Sequence, residues 1–597
     1  MIDSFRSAFE SLSQKKQWSI NNKQYSYFIN HCERKNIDNF ELQGSSQSFL
    51  YRPRIGMNLF IRNGTKYKFL HGTIESVLNQ SYENWELYIA VHESALKHAN
   101  RTLKKFEKEF NRIKIVTVSD DKVNAEIYNQ ALEISTGDYV GFIKPDDLLA
   151  PFTLSEVVKV LNKHRDLHLV YSDEDIIDKN GNRSDPFFKP DWSPDHFLSQ
   201  DFISRFYIIR KSFALSVGGF CAGFEGSEHY DFLLRCTEKL VPELIAHIPK
   251  VLYHQRNAGF FKSLISLNLN ENLYVELSAK KALEEALVRR NLNGEVFIGV
   301  FPGTYRIRYA IKGIPKISII IPSKDNVNLL RRCIESIIKK TDYNNYEIVI
   351  VDNQSIENVT FAYYESLKQY PQIRILHCDT PFNFSKINNY AVSQIDSPFL
   401  VFLNNDTEVI TSEWLSAMLE HAQRTSVGAV GAKLLYPNNR MQHAGIILGM
   451  KGYSHQSGSA GHAHKHLPDK EVGYYSNPHI IRNYSAVTAA CLMVRREVFQ
   501  EINGFNEEFA VAFNDVDLCL KMREKGYFIV YTPYAKLYHH ESYSRGFENT
   551  QEKMERFNKE KNLLRQYWGE VIDRGDPFYN INLALIGDFS HRIREFE

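Results

Sequence analysis

With 597 residues, 43% of them hydrophobic and 24% charged, the chain exceeds one ordinary core and reads as a soluble protein of two or more domains. The formal net charge of +1 gives no global electrostatic case for nucleic acid, and no apolar run approaches the roughly 20 residues of a membrane span. Seven scattered cysteines without metal-ligand spacing, and an N-terminus lacking the apolar core of a signal peptide, predict free thiols in a reducing cytoplasm. Attachment at a membrane surface would leave no mark on these features.

Residues 1–53 are polar with some aromatic and helical character and point to no chemistry. From Gly56 strands and helices alternate: MNLFI, a helical stretch to Leu78, ELYIAV, a long charged helix, IKIVTV, a helix through Asn129, then YVGFI running into Lys144, Pro145, Asp146 and Asp147. That alternation predicts an α/β domain with a mostly parallel sheet covered by helices, here assigned to residues 54–256. The acidic DEDIIDKNG (173–181) reads as a solvated turn. Residues 257–313 contain ELSAKKALEEALVRRN, rich in helix formers and charge, and predict a helical connector.

At Lys316 the pattern restarts. Ile74-Glu75-Ser76 matches Ile334-Glu335-Ser336, Asn129 matches Asn389, and Asp146 matches Asp406, each 260 positions apart. Further along, Gly219-Phe220 matches Gly504-Phe505 and Tyr253-His254 matches Tyr538-His539, 285 apart. So long a period means two copies of one domain rather than a solenoid, the second spanning 314–546. EKMERFNKEKNLLRQYWGEV, within a tail of 547–597, reads as a C-terminal helix with an aromatic and aliphatic face for core packing.

The second copy carries the polar strand ends. ISIIIP is followed by Ser323, Lys324 and Asp325, and EIVIVDNQS ends in Asp352 and Asn353. In FLVFLNNDTE an apolar run breaks into Asn404, Asn405 and Asp406, as a strand buried on both faces would. Ligands of open α/β sheets bind beyond the carboxyl ends of their strands, where a carboxylate suits a divalent cation on a diphosphate. The plain alternative is a turn closed by residues that favour turns. Asp515 and Asp517 sit at the start of a helix, whose dipole alone would accept them. His455, His462, His464 and His466 lie in a glycine-rich stretch; without a cysteine or acidic cluster they read as a mobile loop over an acceptor site rather than a zinc site.

The order IIIPSKD, VDN, NND, NDVDLCL and HHESYSRG over roughly 316–546 resembles the family-2 inverting glycosyltransferases of GT-A fold. FNFSKINNYAV, NYSAVTAACLMVRR and VAFNDVDLCL resemble the branch that builds bacterial surface polysaccharides, O-antigen, capsule and rhamnose-rich glycans among them. The resemblance implies two tandem GT-A (Rossmann-like) domains with a helical linker and tail, moving a sugar from a UDP- or dTDP-sugar to a glycan or lipid-linked acceptor at the cytoplasmic face of the inner membrane. It implies Mn²⁺ or Mg²⁺ held by Asp406 and His539, with His540 the weaker candidate. It implies Asp515 as the general base, Asp352 reading the nucleotide base with Asn389 nearby, and Arg545 reaching the diphosphate. Ser323, Asp325, Asn404 and Asn405 would complete the nucleotide-sugar site. The chain departs from the family's commonest Asp-x-Asp, which holds an acid at position 404 too, so Asp406 is left as the only acidic ligand.

The first copy departs where chemistry would be needed: Val91 stands for Asp352, Lys144-Pro145 for Asn404-Asn405, and His229 for Asp515, while Asp146 and His254 persist. A non-catalytic first copy that packs on the second or holds a glycan acceptor is the expectation. The rivals are a two-site polymerase with both copies active, and a glycan-binding scaffold without turnover.

Overall fold

The computed structural model of the chain describes residues 20, 22–33, 49–109, 111–256, 269–451, 458–540, 550–585 and 593–594. They fall in two compact units, one of Met1–Trp192, Gln200–Arg306 and Arg592–Glu597, the other of Ser193–Ser199 and Ile307–His591.

Each unit is built on one mixed sheet, and the two sheets follow the same strand order. In the second unit, Ile373–His377, Tyr346–Asp352, Ile317–Ser323 and Phe399–Leu403 lie side by side and parallel. Cys491–Arg495 then pairs antiparallel with Phe399–Leu403, and Val427–Leu435, Phe528–His539 and Thr407–Val409 complete the path. In the first unit the order is Ile113–Val118, Trp85–His92, Ile55–Ile61, Tyr139–Ile143, Tyr207–Arg210, Leu169–Ile177, Ile245–Gln255 and Leu148–Leu149. The duplication read from isolated matches is therefore a duplication of topology.

Every residue of Phe399–Leu403 is buried, as its unbroken apolar run requires. Along Ile317–Ser323, Ile319 and Ile321 pack into one apolar layer with Leu330, Ile334 and Trp414, while Ile320 packs into the other with Ile387 and Phe499. Helix Val327–Lys340 buries Leu330, Cys333, Ile334 and Ile337, the stripe of an amphipathic helix laid on a sheet. The sequence order reverses between Ile317–Ser323 and Phe399–Leu403, so a crevice opens beyond their carboxyl ends.

Two sequence expectations change. Asp173 and Asp175 do not belong to a solvated turn: they are buried in strand Leu169–Ile177. Asp175 meets His254 Nδ1 at 2.6 Å, accepts from Tyr25 Oη at 2.5 Å and pairs with Arg183, which also meets Glu33 at 2.6 Å. The described part of the N-terminal extension thus completes a buried ionic network of the first unit. Helix Leu269–Arg289 buries Ala279, Ala282, Leu283 and Ala286 within that unit rather than standing apart.

One clamp recurs. Asn389 donates Nδ2 to Phe505 O at 2.9 Å and accepts from Phe505 N at 3.0 Å; Asn129 does the same with Phe220 at 2.9 and 2.7 Å. The preceding glycines have φ of 62° at Gly504 and 64° at Gly219, and a Cβ there would stand 2.7 and 2.2 Å from the asparagine Oδ1. Asn389 therefore ties a helix to a loop and is not a side chain of the crevice. Asn389→Ala should leave the Phe505 amide unsatisfied and cost about 1–3 kcal/mol, read as a lower urea midpoint. An unchanged midpoint would mean the clamp is idle.

Candidate active site

A cavity of about 800 Å³ opens at the carboxyl ends of Ile317–Ser323 and Phe399–Leu403. Ser323, Asp325, Asn404, Asn405, Asp406, Asp515 and His539 all line it. Three strand ends, the start of one helix and the end of the longest strand meet there.

Asp406 follows the turn at the end of Phe399–Leu403, which Thr407 Oγ1 closes by donating to Asn404 O at 2.9 Å. Thr407 then pairs with His539, and His540 N donates to Asp406 O at 2.9 Å. The pairing brings His539 Nε2 to 3.1 Å from Asp406 Oδ1. His540 turns instead toward Glu408, at 3.4 Å. Gln442 Oε1 lies 2.7 Å from His539 Nδ1, so that nitrogen carries the proton and Nε2 faces the cavity with its lone pair. Asn404 Nδ2 lies 3.2 Å from the same Nε2. An imidazole lone pair aimed at a carboxylate oxygen is favourable only with a positive charge between or beside them. The pair therefore fits a divalent cation. Among the described residues no group of three or more His, Cys, Asp or Glu gathers to hold a metal.

Asp515 stands in the first turn of helix Asn514–Glu524, just after Phe513 at φ 62°. Its Oδ2 accepts from Ala489 N at 3.2 Å and its Oδ1 from Val516 N at 2.9 Å. Burial raises its carboxyl above the ordinary 3.8, against the lowering effect of those bonds and of Thr488. The loop before it is braced from the C-terminal helix Gln551–Arg574: Glu560 accepts from Val511 N and Ala512 N, both at 2.9 Å. Trp568 Nε1 donates to Asp517 Oδ1 at 2.9 Å. Glu560 and Gln442 were not singled out from sequence, and no local signal marks them.

Asp352 does not reach the cavity. It is buried beside helix Asn358–Leu367, accepting from Tyr364 Oη at 2.9 Å with His377 Nδ1 at 3.4 Å. Strand alternation sends the next side chain the other way, and Asn353 lines the cavity instead. Its Nδ2 donates to Cys378 O and Thr380 O at 2.9 and 2.7 Å, leaving Oδ1 as the acceptor it offers. Asp325, left-handed at φ 47°, spends its Oδ1 on Ile356 N and Glu357 N at 3.0 and 2.9 Å. Asn405 Nδ2 donates to Ser323 Oγ at 3.2 Å. Arg545 and His455 lie outside the described residues. His462 lines the cavity and meets the buried His443, Nδ1 to Nδ1, at 2.8 Å, whereas His466 stacks on Tyr436.

The first unit fills the corresponding place. His229, in the first turn of helix Glu228–Thr237, is ringed by Tyr128, Phe142, Tyr207 and Phe220. Tyr207 Oη lies 2.8 Å from its Nδ1, and burial followed by Lys144 and Arg205 pushes the imidazole down to about 3. His229 is therefore neutral at physiological pH.

A sequence profile described as "Glycosyl transferase family 2" matches residues 61–218 and 318–502. The chain is 41% identical over 515 residues to the uncharacterized protein y4gI of Sinorhizobium fredii, covering 86% of this chain and 56% of that protein. It is 37% identical over 542 residues to the O-antigen biosynthesis protein RfbC of Myxococcus xanthus, covering 89% of this chain and 40% of that one. It thus spans about half the length of these two curated relatives. An N-acetylglucosaminyl-diphospho-decaprenol L-rhamnosyltransferase of Mycobacterium tuberculosis is 23% identical over 33% of this chain and 68% of its own.

Glu560→Ala should strip both loop amides of their acceptor. We expect amide exchange at Val511 and Ala512 to quicken by about tenfold or more, the equivalent of ~1.4 kcal/mol. Unchanged protection would show that the loop holds itself.

Proposed function

The chain belongs to glycosyl transferase family 2, and on that premise we propose that its second unit transfers a sugar, with inversion, from a nucleotide-sugar donor to a hydroxyl of a growing bacterial surface glycan. Asp406, His539 and Asp515 converge on one cavity at the carboxyl edge of the sheet, and that convergence supports the reading above all else.

In this reading the acceptor oxygen attacks the anomeric carbon from the side opposite the leaving group. Its bond to carbon forms as the bond from carbon to the diphosphate oxygen breaks, and its proton passes to the Asp515 carboxylate. A carboxyl raised by burial holds that proton better than an ordinary aspartate, which suits a base. Asp406 Oδ1 and His539 Nε2 would hold a divalent cation, which when bound supplies positive charge against the departing diphosphate. The imidazole ligand favours Mn²⁺ over Mg²⁺. Gln442 fixes the ring so that Nε2 is the available nitrogen. Asn353, rather than Asp352, would offer its Oδ1 to an N–H on the edge of a pyrimidine, consistent with a UDP or dTDP donor. Ser323, whose carbonyl accepts from Asn353 N at 2.8 Å, and Asn405 would line the donor site beside it. Arg545 as a donor to the diphosphate remains part of the proposal.

The acceptor is taken to be lipid-linked. The names of the Myxococcus and Mycobacterium relatives, one in O-antigen biosynthesis and one acting on a diphospho-decaprenol, support that choice. A place at the cytoplasmic face of the inner membrane follows from it. No helix among the described residues is long and apolar enough to cross a membrane, which accords with a peripheral association. The first unit is assigned no turnover, because the position of the base holds a neutral, ring-enclosed His229.

A panel of nucleotide sugars with Mn²⁺ tests this. One donor should bind in a metal-dependent way, and Asp406→Ala should abolish that binding. Metal-dependent donor binding indifferent to Asp406→Ala would overturn the assignment of the cavity. Asp515→Asn should lower kcat by about 10²–10⁴ with donor affinity kept; full activity in that variant would remove Asp515 from its role. The base must be ionised, so kcat/KM should rise with pH through a limb lying above 3.8 and then level off. A limb at or below that value would contradict a buried base.

A further inference from the structure

The first unit keeps the architecture of the cavity but changes its charge. Lys144 directly follows strand Tyr139–Ile143, as Asn404 directly follows Phe399–Leu403. Arg62 directly follows Ile55–Ile61, as Lys324 follows Ile317–Ser323. In the antiparallel neighbour, Gly141 pairs with Ile208, so counting outward sets Lys144 opposite Arg205. The same count in the second unit, from Leu403 paired with Cys491, sets Asn404 opposite Ala490. Lys324, Asn404 and Ala490 all line the second unit's cavity. One cation, one amide and one methyl there become three cations in the first unit.

None of these three side chains forms an ion pair with a carboxylate among the described residues. Of the two acids that follow Lys144, Asp146 and Asp147, the second accepts from Tyr253 Oη at 2.6 Å and Arg256 N at 2.8 Å. The Arg205 guanidinium is the main influence that brings Lys144, itself exposed to solvent, down to about 8, with Asp147 and Asp146 opposing it less strongly. Holding like charges together at a strand edge is unfavourable unless an anion joins them. Fixed ammonium and guanidinium groups neutralise phosphate oxygens directly, without a metal.

We propose that the first unit binds a diphosphate group, metal-free and without turnover, through Arg62, Lys144 and Arg205. The neutral His229 beside them leaves such a ligand with no base to activate an attacking hydroxyl. The diphosphate could belong to a nucleotide or to a polyprenyl-linked glycan. The proposal extends the reading of the second unit but does not depend on its chemistry.

The test is calorimetry on the full chain with inorganic pyrophosphate in EDTA, in wild type and in an Asp406→Ala background that disables the second unit's cation site. Binding should persist in both. Lys144→Gln with Arg205→Gln should weaken it by roughly tenfold or more, and Lys144→Arg alone should retain it. UDP binding tighter than pyrophosphate would assign the nucleotide. Co-sedimentation with phosphatidylcholine vesicles containing undecaprenyl diphosphate, absent with plain vesicles, would assign the lipid. Either result supports the site. No binding in EDTA, or binding indifferent to both Lys144→Gln and Arg205→Gln, overturns it. Because Lys144→Arg keeps the charge, a double variant that fails to fold still leaves a decision: lost binding in a folded Lys144→Gln single variant supports the site, and retained binding opposes it. Failure of the second unit's assignment would appear separately, as metal-dependent donor binding that ignores Asp406→Ala.

Discussion

The site depends on one short piece of pairing, that of Thr407–Val409 with the end of Phe528–His539. Three residues after leaving the sheet at Leu403, the chain rejoins it at the far end of the strand path. The turn between holds Asn404, Asn405 and Asp406, and the pairing sets the strand that bears His539 beside them. A carboxylate and an imidazole 3.1 Å apart and 133 residues apart in sequence are thus made neighbours by backbone hydrogen bonds, not by their own attraction. Without that pairing the two would repel as acceptors or pair loosely as ions. With it they are held ready for a positive charge at little further entropic cost.

The opposite wall needs a different solution. The loop at Val511 and Ala512 has exposed amides, and Phe513 sits in a left-handed conformation that costs free energy for a bulky side chain. The C-terminal helix answers both problems. Leu564, Trp568 and Ile572 pack into the core layer beneath, and from that anchored face Glu560 reaches the two amides. Asp576, just beyond the helix, likewise accepts from Leu448 N at 2.8 Å and Ser485 Oγ at 2.7 Å. A segment that looked like a tail in sequence is in this sense the wall behind Asp515. Buried carboxylates satisfied by backbone donors make that wall stiff, and their loss would leave unpaired groups rather than a mere gap.

Much of this was legible in the sequence. The apolar run into Asn404 and the repeated Gly-Phe and Tyr-His pairs gave the sheet, its duplication and the strand ends where polar side chains gather. Alternation along a strand was the finer signal, and it cut both ways. Comparing the repeats favoured His539 over His540, and the register places His539 in the cavity. The same alternation, had it been applied to Val351-Asp352-Asn353, would have turned Asp352 toward helix Asn358–Leu367 and Asn353 toward the crevice. The role of Asp352 came instead from the resemblance to the family. Gln442 and Glu560 were illegible for another reason. Gln442 acts on a partner 97 residues away and Glu560 on two amides 49 and 48 residues away, and neither sits in a local pattern that composition or periodicity could reveal. The buried Asp173 and Asp175 failed in the opposite sense, since an acidic run reads as solvated until its partners, Tyr25, Arg183 and His254, are known.

Comparison of the two units separates what the fold requires from what chemistry requires. The asparagine clamp on the Gly-Phe loop, the strand order and the histidine at the end of the long strand occur in both, and each has a mechanical reason to stay. At the carboxyl edge the side chains change. There an amide became Lys144, a methyl became Arg205, and an acid at a helix start became a histidine enclosed by four rings. Substitutions of that kind do not disturb the core, because side chains at the strand ends contribute little to either apolar layer. A duplicated domain can therefore change these side chains, an acid for a histidine and neutral groups for cations, without disturbing its core. The burial that raises Asp515 and the burial that neutralises His229 are one physical effect acting on groups of opposite charge type. In the second unit it favours the protonated carboxyl; in the first it favours the neutral imidazole beside Lys144 and Arg205.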